Sequence, residues 1–123
     1  MSKKILIVDD SALMRRVMCD IINSDGTFQV TDTCCDGLEA YEKLKTTRYD
    51  GVVLDVNMPR MDGFSFIIAV REQDAYKDIP IIILSTEGGE EDIQKGIRLG
   101  ANLYMVKPAQ PEKMVRNIKM LLG

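Results

Sequence analysis

Five short runs rich in Val, Ile and Leu punctuate the chain: Ile5–Val8, Phe28–Thr33, Val52–Leu54, Ile81–Leu84 and Leu103–Val106. Most lack polar alternation, the pattern of strands covered on both faces rather than of a sheet wetted on one side. Amphipathic stretches separate them. In the first, Leu13, Val17 and Ile21 recur at helical spacing with Met14, Met18 and Ile22 beside them, Arg15 and Arg16 point outward, and Ser11 offers an N-cap. The second, Leu38–Lys45, follows the turn signal Asp36-Gly37, and the third, about Phe64–Glu72, follows Asp62-Gly63. The fourth, about Glu90–Leu99, stops at Gly100, a C-terminal cap residue. The fifth starts at Pro111 and is expected to bury Met114, Ile118, Leu121 and Leu122. Strand and helix in strict alternation require right-handed crossovers. The expected class is therefore α/β: a doubly wound, five-stranded parallel (βα)5 sheet with helices on both faces.

A chain of 123 residues fits one domain over residues 1-123. The longest apolar runs, such as IPIIIL, are too short to span a bilayer, and acids interrupt the N-terminal apolar stretch before a signal-peptide core can form. The expected location is cytoplasmic, with no membrane contact. A net charge of −3 gives no electrostatic footing for direct nucleic-acid binding. Cys19, Cys34 and Cys35 lack zinc-site spacing and read as reduced thiols buried among apolar residues. The chain has no histidine, which removes His-based metal sites, Ser-His or Cys-His catalysis and any phosphohistidine of its own.

The acids at the strand ends carry the chemistry. Asp9 and Asp10 close KKILIVDD, Asp55 closes GVVLD, and Lys107 follows LYMV. In an open parallel sheet, ligands bind beyond the carboxyl ends of the strands, where Ser85 also falls. Carboxylates held close disfavour one another's ionisation unless a cation sits among them. Acids, a divalent ion and one lysine together make a site for a phosphoryl group.

The motifs ILIVDDSALMRR, CCDGLEA, YDGVVLDVNMPRMDG, PIIILST and LGANLYMVKP occur in order along the whole chain. Together they resemble a response-regulator receiver domain of the chemotaxis CheY-like kind, with some likeness to the receiver of the chemotaxis methylesterase. That resemblance implies a flavodoxin-like sheet of strand order 2-1-3-4-5. It also implies a role in two-component signalling, with a sensor histidine kinase or a histidine phosphotransfer protein as phosphoryl donor. Asp55 would be the phosphoacceptor. Mg2+ would be held by Asp10, Asp55 and the backbone carbonyl of Asn57, with Asp9 acting through a water. Lys107 would reach the phosphoryl oxygens, aimed by a cis bond to Pro108. Ser85 matches the switch hydroxyl; Thr86 is its rival, although adjacent strand residues face opposite ways. Tyr104 matches an aromatic that rotates inward on activation. The responding face would be the fourth helix, fifth strand and fifth helix, about Ile93, Tyr104, Val106 and Gln110, docking a downstream protein target. The chain would act as a monomer or as a phosphorylation-linked dimer. It would be no enzyme beyond its own phosphorylation and dephosphorylation, which Asn57 and Glu87 would tune towards a short-lived phosphoryl group.

Some positions depart from the family pattern. Thr86 is larger than the usual small residue and would narrow access to the phosphate. Gly88 and Gly89 begin the fourth helical segment and Gly96 lies inside it, each costing up to about 1 kcal/mol against alanine. Ala109 stands where the family often has phenylalanine. Two other readings share the architecture. A haloacid-dehalogenase-like phosphohydrolase would need a second aspartate where Asn57 stands. A flavodoxin-like cofactor binder would present glycine and hydroxyl donors in the first turn, where this chain has DDSALMR. Within the receivers, a fragment of a larger regulator such as the methylesterase reads much like a single-domain motility regulator.

Overall fold

Five strands and five helices alternate along the computed structural model, which describes residues 2–108 and 110–122. The order is β1 (Lys3–Val8), α1 (Ala12–Asn23), β2 (Phe28–Cys34), α2 (Gly37–Thr46), β3 (Gly51–Leu54), α3 (Gly63–Arg71), β4 (Ile81–Ser85), α4 (Glu90–Leu99), β5 (Leu103–Val106) and α5 (Pro111–Leu122). All strand pairs are parallel, in the order β2-β1-β3-β4-β5. The expected architecture and strand order are those observed. No helix among the described residues is long and apolar enough to cross a membrane. The expectation concerning Ala109 lies outside the described residues.

Alternate residues of each strand feed two cores, one on each face of the sheet. On one face Leu6, Val8, Leu54, Ile81 and Ile83 pack with Ala40, Leu44, Phe66, Ile67 and Val70 of α2 and α3. On the other, Ile5, Ile7, Val53, Ile82 and Leu84 pack with Met18 and Ile22 of α1 and Met114 and Ile118 of α5. Burial on both faces is why β1, β3 and β4 read as uninterrupted apolar runs.

Of the two adjacent apolar stripes that the sequence places on α1, only one is buried. Leu13 is 71% exposed and Val17 is exposed too, whereas Met18 and Ile22 are buried and Met14 packs against them. Two apolar stripes lie side by side on this helix, and the sheet takes the Met14–Met18–Ile22 stripe. On α5, Met114 and Ile118 are buried as expected, while Leu121 and Leu122 are only partly covered. Only Cys34 meets the expectation of a buried thiol, and burial pushes it up to about 12; Cys19 is half-buried and Cys35 exposed.

Caps set where the helices begin. Ser11 Oγ accepts from Met14 N at 3.2 Å, Asp36 Oδ1 from Glu39 N at 2.8 Å and Asp62 Oδ1 from Ser65 N at 2.8 Å. Gly63 opens α3 because a side chain there would run into the carbonyl oxygen of Asp55. α4 lacks such a cap: Gly89 precedes it without a side-chain bond, and Gly88 lies outside the helix against Val106. Its C-terminus turns at Gly100, whose φ of 127° favours glycine. Arg71 then ties this corner to α3, donating to the carbonyls of Gly100, Lys77 and Ile79 at 2.7–3.1 Å.

Candidate functional site

Parallel register brings the acids together. Val8 of β1 pairs with Leu54 of β3, so the residues that follow, Asp9 and Asp55, emerge side by side. Backbone bonds carry the ladder one step further: Asp9 N to Cys34 O at 3.0 Å, Asp55 N to Val8 O at 2.9 Å and Lys107 N to Ser85 O at 2.7 Å. Carboxylate oxygens of Asp9, Asp10 and Asp55 all lie within 4.8 Å of one another.

The three acids differ in setting. Asp9 is 1% exposed; its Oδ1 accepts from Ser11 N at 2.9 Å and its Oδ2 from Lys107 Nζ at 2.8 Å. Asp10 is exposed, and Asp55 lies half-buried between them. Asp55 Oδ1 accepts from Val56 N at 2.7 Å, while its Oδ2 stands 3.7 Å from Lys107 Nζ. Burial pushes the Asp55 carboxyl above the usual carboxylate range; the Lys107 ammonium opposes that shift and the Asp9 charge adds to it. The side chain of Lys107 is only 11% exposed, so one ammonium serves a buried acid and a half-buried one. The Lys107-Pro108 peptide is cis.

Around this pocket the other expected residues take distinct places. Ser85 ends β4 fully buried, its Oγ accepting from Glu87 N at 3.2 Å, whereas Thr86 is exposed. Tyr104 is half-buried, its hydroxyl donating to the carbonyl of Glu87 and its ring packed where Gly96 leaves space. Asn57 Nδ2 donates to Glu87 Oε1 at 2.8 Å, joining the β3–α3 loop to the β4–α4 loop. Sequence reasoning missed Arg15, read only as an outward residue: its Nη1 donates to the Asp9 carbonyl at 2.7 Å. It also missed the ion pair between Asp36 and Arg60, for which the DG pair in CCDGLEA signalled only a turn.

Three carboxylates converging with no soft ligand in the set form an oxygen-only site, which fits a hard divalent cation such as Mg2+. Such a cation, with the ammonium of Lys107, would neutralise the charge that burial makes costly, leaving Asp55 as an acid near two positive centres.

Comparison with known proteins agrees with this arrangement. The model of the response regulator receiver domain matches residues 5–119. Chemotaxis protein CheY1 of Helicobacter pylori is 36% identical over 121 residues, covering 98% of this chain and 97% of that protein. A protein-glutamate methylesterase/protein-glutamine glutaminase of Syntrophomonas wolfei is 39% identical over 109 residues, covering 87% of this chain but 30% of that protein. The CheX-CheY-BeF3-Mg+2 complex from Borrelia burgdorferi contains a chain that superposes with a TM-score of 0.91 at 32% identity, covering 98% of this chain and 90% of that one. With its sheet order, its acidic rim and these relatives in agreement, the chain belongs to the response regulator receiver domain family.

Proposed function

We propose that the chain, read as one receiver over residues 1-123, takes a phosphoryl group from a phosphohistidine of a sensor histidine kinase or histidine phosphotransfer protein onto Asp55. A carboxylate oxygen of Asp55 forms the new P–O bond as the P–N bond breaks and the donor imidazole leaves with the electron pair. The observation that carries this reading is the Lys107 ammonium, 2.8 Å from Asp9 and 3.7 Å from Asp55, beside three converging carboxylates. Asp9, Asp10, Asp55 and the backbone carbonyl of Asn57 would hold Mg2+, which when bound supplies charge neutralisation for the incoming phosphoryl oxygens. Lys107 exchanges a carboxylate partner for a phosphoryl oxygen, a charge-assisted contact. The buried Ser85 hydroxyl donates to another, in preference to the exposed Thr86.

Movement of Ser85 draws the β4–α4 loop with it and lets the Tyr104 ring turn inward, shifting the population of the α4–β5–α5 face. That face, about Ile93, Tyr104, Val106 and Gln110, docks a downstream protein, as a monomer or a phosphorylation-linked dimer. Asn57 and Glu87, bridged at 2.8 Å, would tune loss of the phosphoryl group. The protein is a cytoplasmic signalling switch rather than a turnover enzyme. Relatives named as chemotaxis proteins support a chemotaxis and motility role. The methylesterase match supports a second reading, in which the same switch governs a catalytic domain of a larger regulator.

The test is phosphotransfer from a phosphorylated kinase to the wild type, to Asp55→Ala and to chelated protein. One phosphoryl group per chain is expected, lost in both controls. Label retained by Asp55→Ala would overturn the assignment, and many product molecules per chain would mark a hydrolase instead.

A further inference from the structure

Among the described residues, the buried charged or polar side chains are Asp9, Ser85 and Asp36. The first two line the acidic pocket; Asp36, 3% exposed, does not belong to it. Its Oδ1 caps α2 through Glu39 N, and its Oδ2 accepts from Nε of Arg60 at 2.8 Å, with Nη2 of the same ion pair also at 2.8 Å. Arg60 is the one non-glycine residue at positive φ among the described residues, at 63°. A left-handed arginine is strained, and such strain persists where surrounding contacts over-determine it. Those contacts are the Asp36 ion pair and the neighbouring bond from Gly37 N to Met61 O at 2.8 Å. Two residues on, Gly63 N donates to Val56 O at 2.9 Å, closing the loop at its base. The segment between Asp55 and Gly63, which includes Asn57, is thus closed at its base and held against the start of α2.

We propose that Asp36 and Arg60 are a positioning pair, holding the β3–α3 loop in the conformation that presents the Asn57 carbonyl to the acidic pocket and so setting its affinity for Mg2+. Neither side chain belongs to the acid cluster, and both act through the loop. The proposal rests on the reading of that cluster as a cation site.

Two substitutions separate clamping from simple structural support. Arg60→Gly removes the guanidinium and relieves the left-handed backbone. Asp36→Ser keeps an N-cap acceptor for Glu39 while removing the carboxylate. Mg2+ titration of the full chain, followed by NMR of the Asp55–Asn57 amides, is run beside urea unfolding and amide exchange of the loop. Each variant is expected to weaken Mg2+ binding roughly tenfold, the low end for residues that orient a metal ligand from outside. The double variant is expected to be no weaker than the weaker single one, because the two residues act as one unit. Loop amides should exchange faster in both; Arg60→Gly is expected to lose stability because it strands the buried Asp36 carboxylate, whereas Asp36→Ser leaves no buried charge behind. Wild-type binding with Arg60→Gly within twofold of it would overturn the positioning role alone. Failure of the wild type to bind Mg2+ would overturn the cation reading and the pair's role with it.

Discussion

Replacing Lys107 by methionine keeps most of the aliphatic stem and removes only the ammonium, isolating the charge that Asp9 and Asp55 share. At 2.8 Å from Asp9 and 3.7 Å from Asp55, its gross attractions are roughly 6 and 4 kcal/mol at an effective dielectric of about 20. Desolvation of all three groups offsets much of that sum, so the attraction is not the effect of the substitution. What counts is the acid left behind. Asp9 is 1% exposed, and stranding a buried charge costs about 3–5 kcal/mol. Ser11 N still donates to its other oxygen, which favours the lower end, ~3 kcal/mol, or a fall in Tm of ~10 °C for a chain of this size. Mg2+ enters the same balance with the opposite sign. Without the competing ammonium the pocket attracts a cation more strongly, so saturating Mg2+ should stabilise Lys107→Met by more than it stabilises the wild type. The assay is urea unfolding at neutral pH, with chelator and with Mg2+, on both proteins. A chelated variant within ~0.5 kcal/mol of wild type would refute the stranded-charge reasoning, since surface changes stay in that range. A smaller gain from Mg2+ in the variant would refute the competition between ammonium and cation.

Two further outcomes follow from the same geometry. Burial above all, with the Asp9 charge adding and Lys107 opposing, holds the Asp55 carboxyl above its ordinary value of 3.8, so the native state binds the more protons just above that pH. Stability of the metal-free protein therefore falls as pH rises through the window between the unfolded and native values and stays lower above it. Asp55→Asn should melt higher than wild type at neutral pH under chelation, the gap closing on acidification below 3.8; a lower-melting variant at neutral pH would exclude this account. In α4, the uncapped start at Gly89 and the interior Gly96 should make amide exchange at least roughly tenfold faster than in α1, and equal protection would contradict it. A Cβ at Gly96 would stand 2.8 Å from Ile83 Cδ1 and 3.0 Å from Tyr104 Cδ2, so Gly96→Ala should shift the Tyr104 ring resonances, and unmoved resonances would show that the ring does not depend on that space.

The fold was legible because strands buried on both faces lose polar alternation, and the buried runs Ile5–Val8, Val52–Leu54 and Ile81–Leu84 are too short to be anything else. The rim was legible for a related reason: in a parallel sheet every strand ends on the same side, so acids that follow strands must meet. Periodicity could not choose between two adjacent stripes on α1, because both repeat at helical spacing and only contact with the sheet decides between Leu13–Val17 and Met14–Met18–Ile22. That Ser85 is buried and Thr86 exposed depended on where β4 stops, which pairing with β5 sets. The links from Arg15 to the Asp9 carbonyl and from Arg60 to Asp36 left no trace in local spacing. Order, period and chain direction are local properties that a string of residues carries by itself. Ion pairs between side chains as far apart in sequence as Lys107 and Asp9 exist only once the chain has closed on itself, so tertiary structure alone decided which charges meet and which are left exposed.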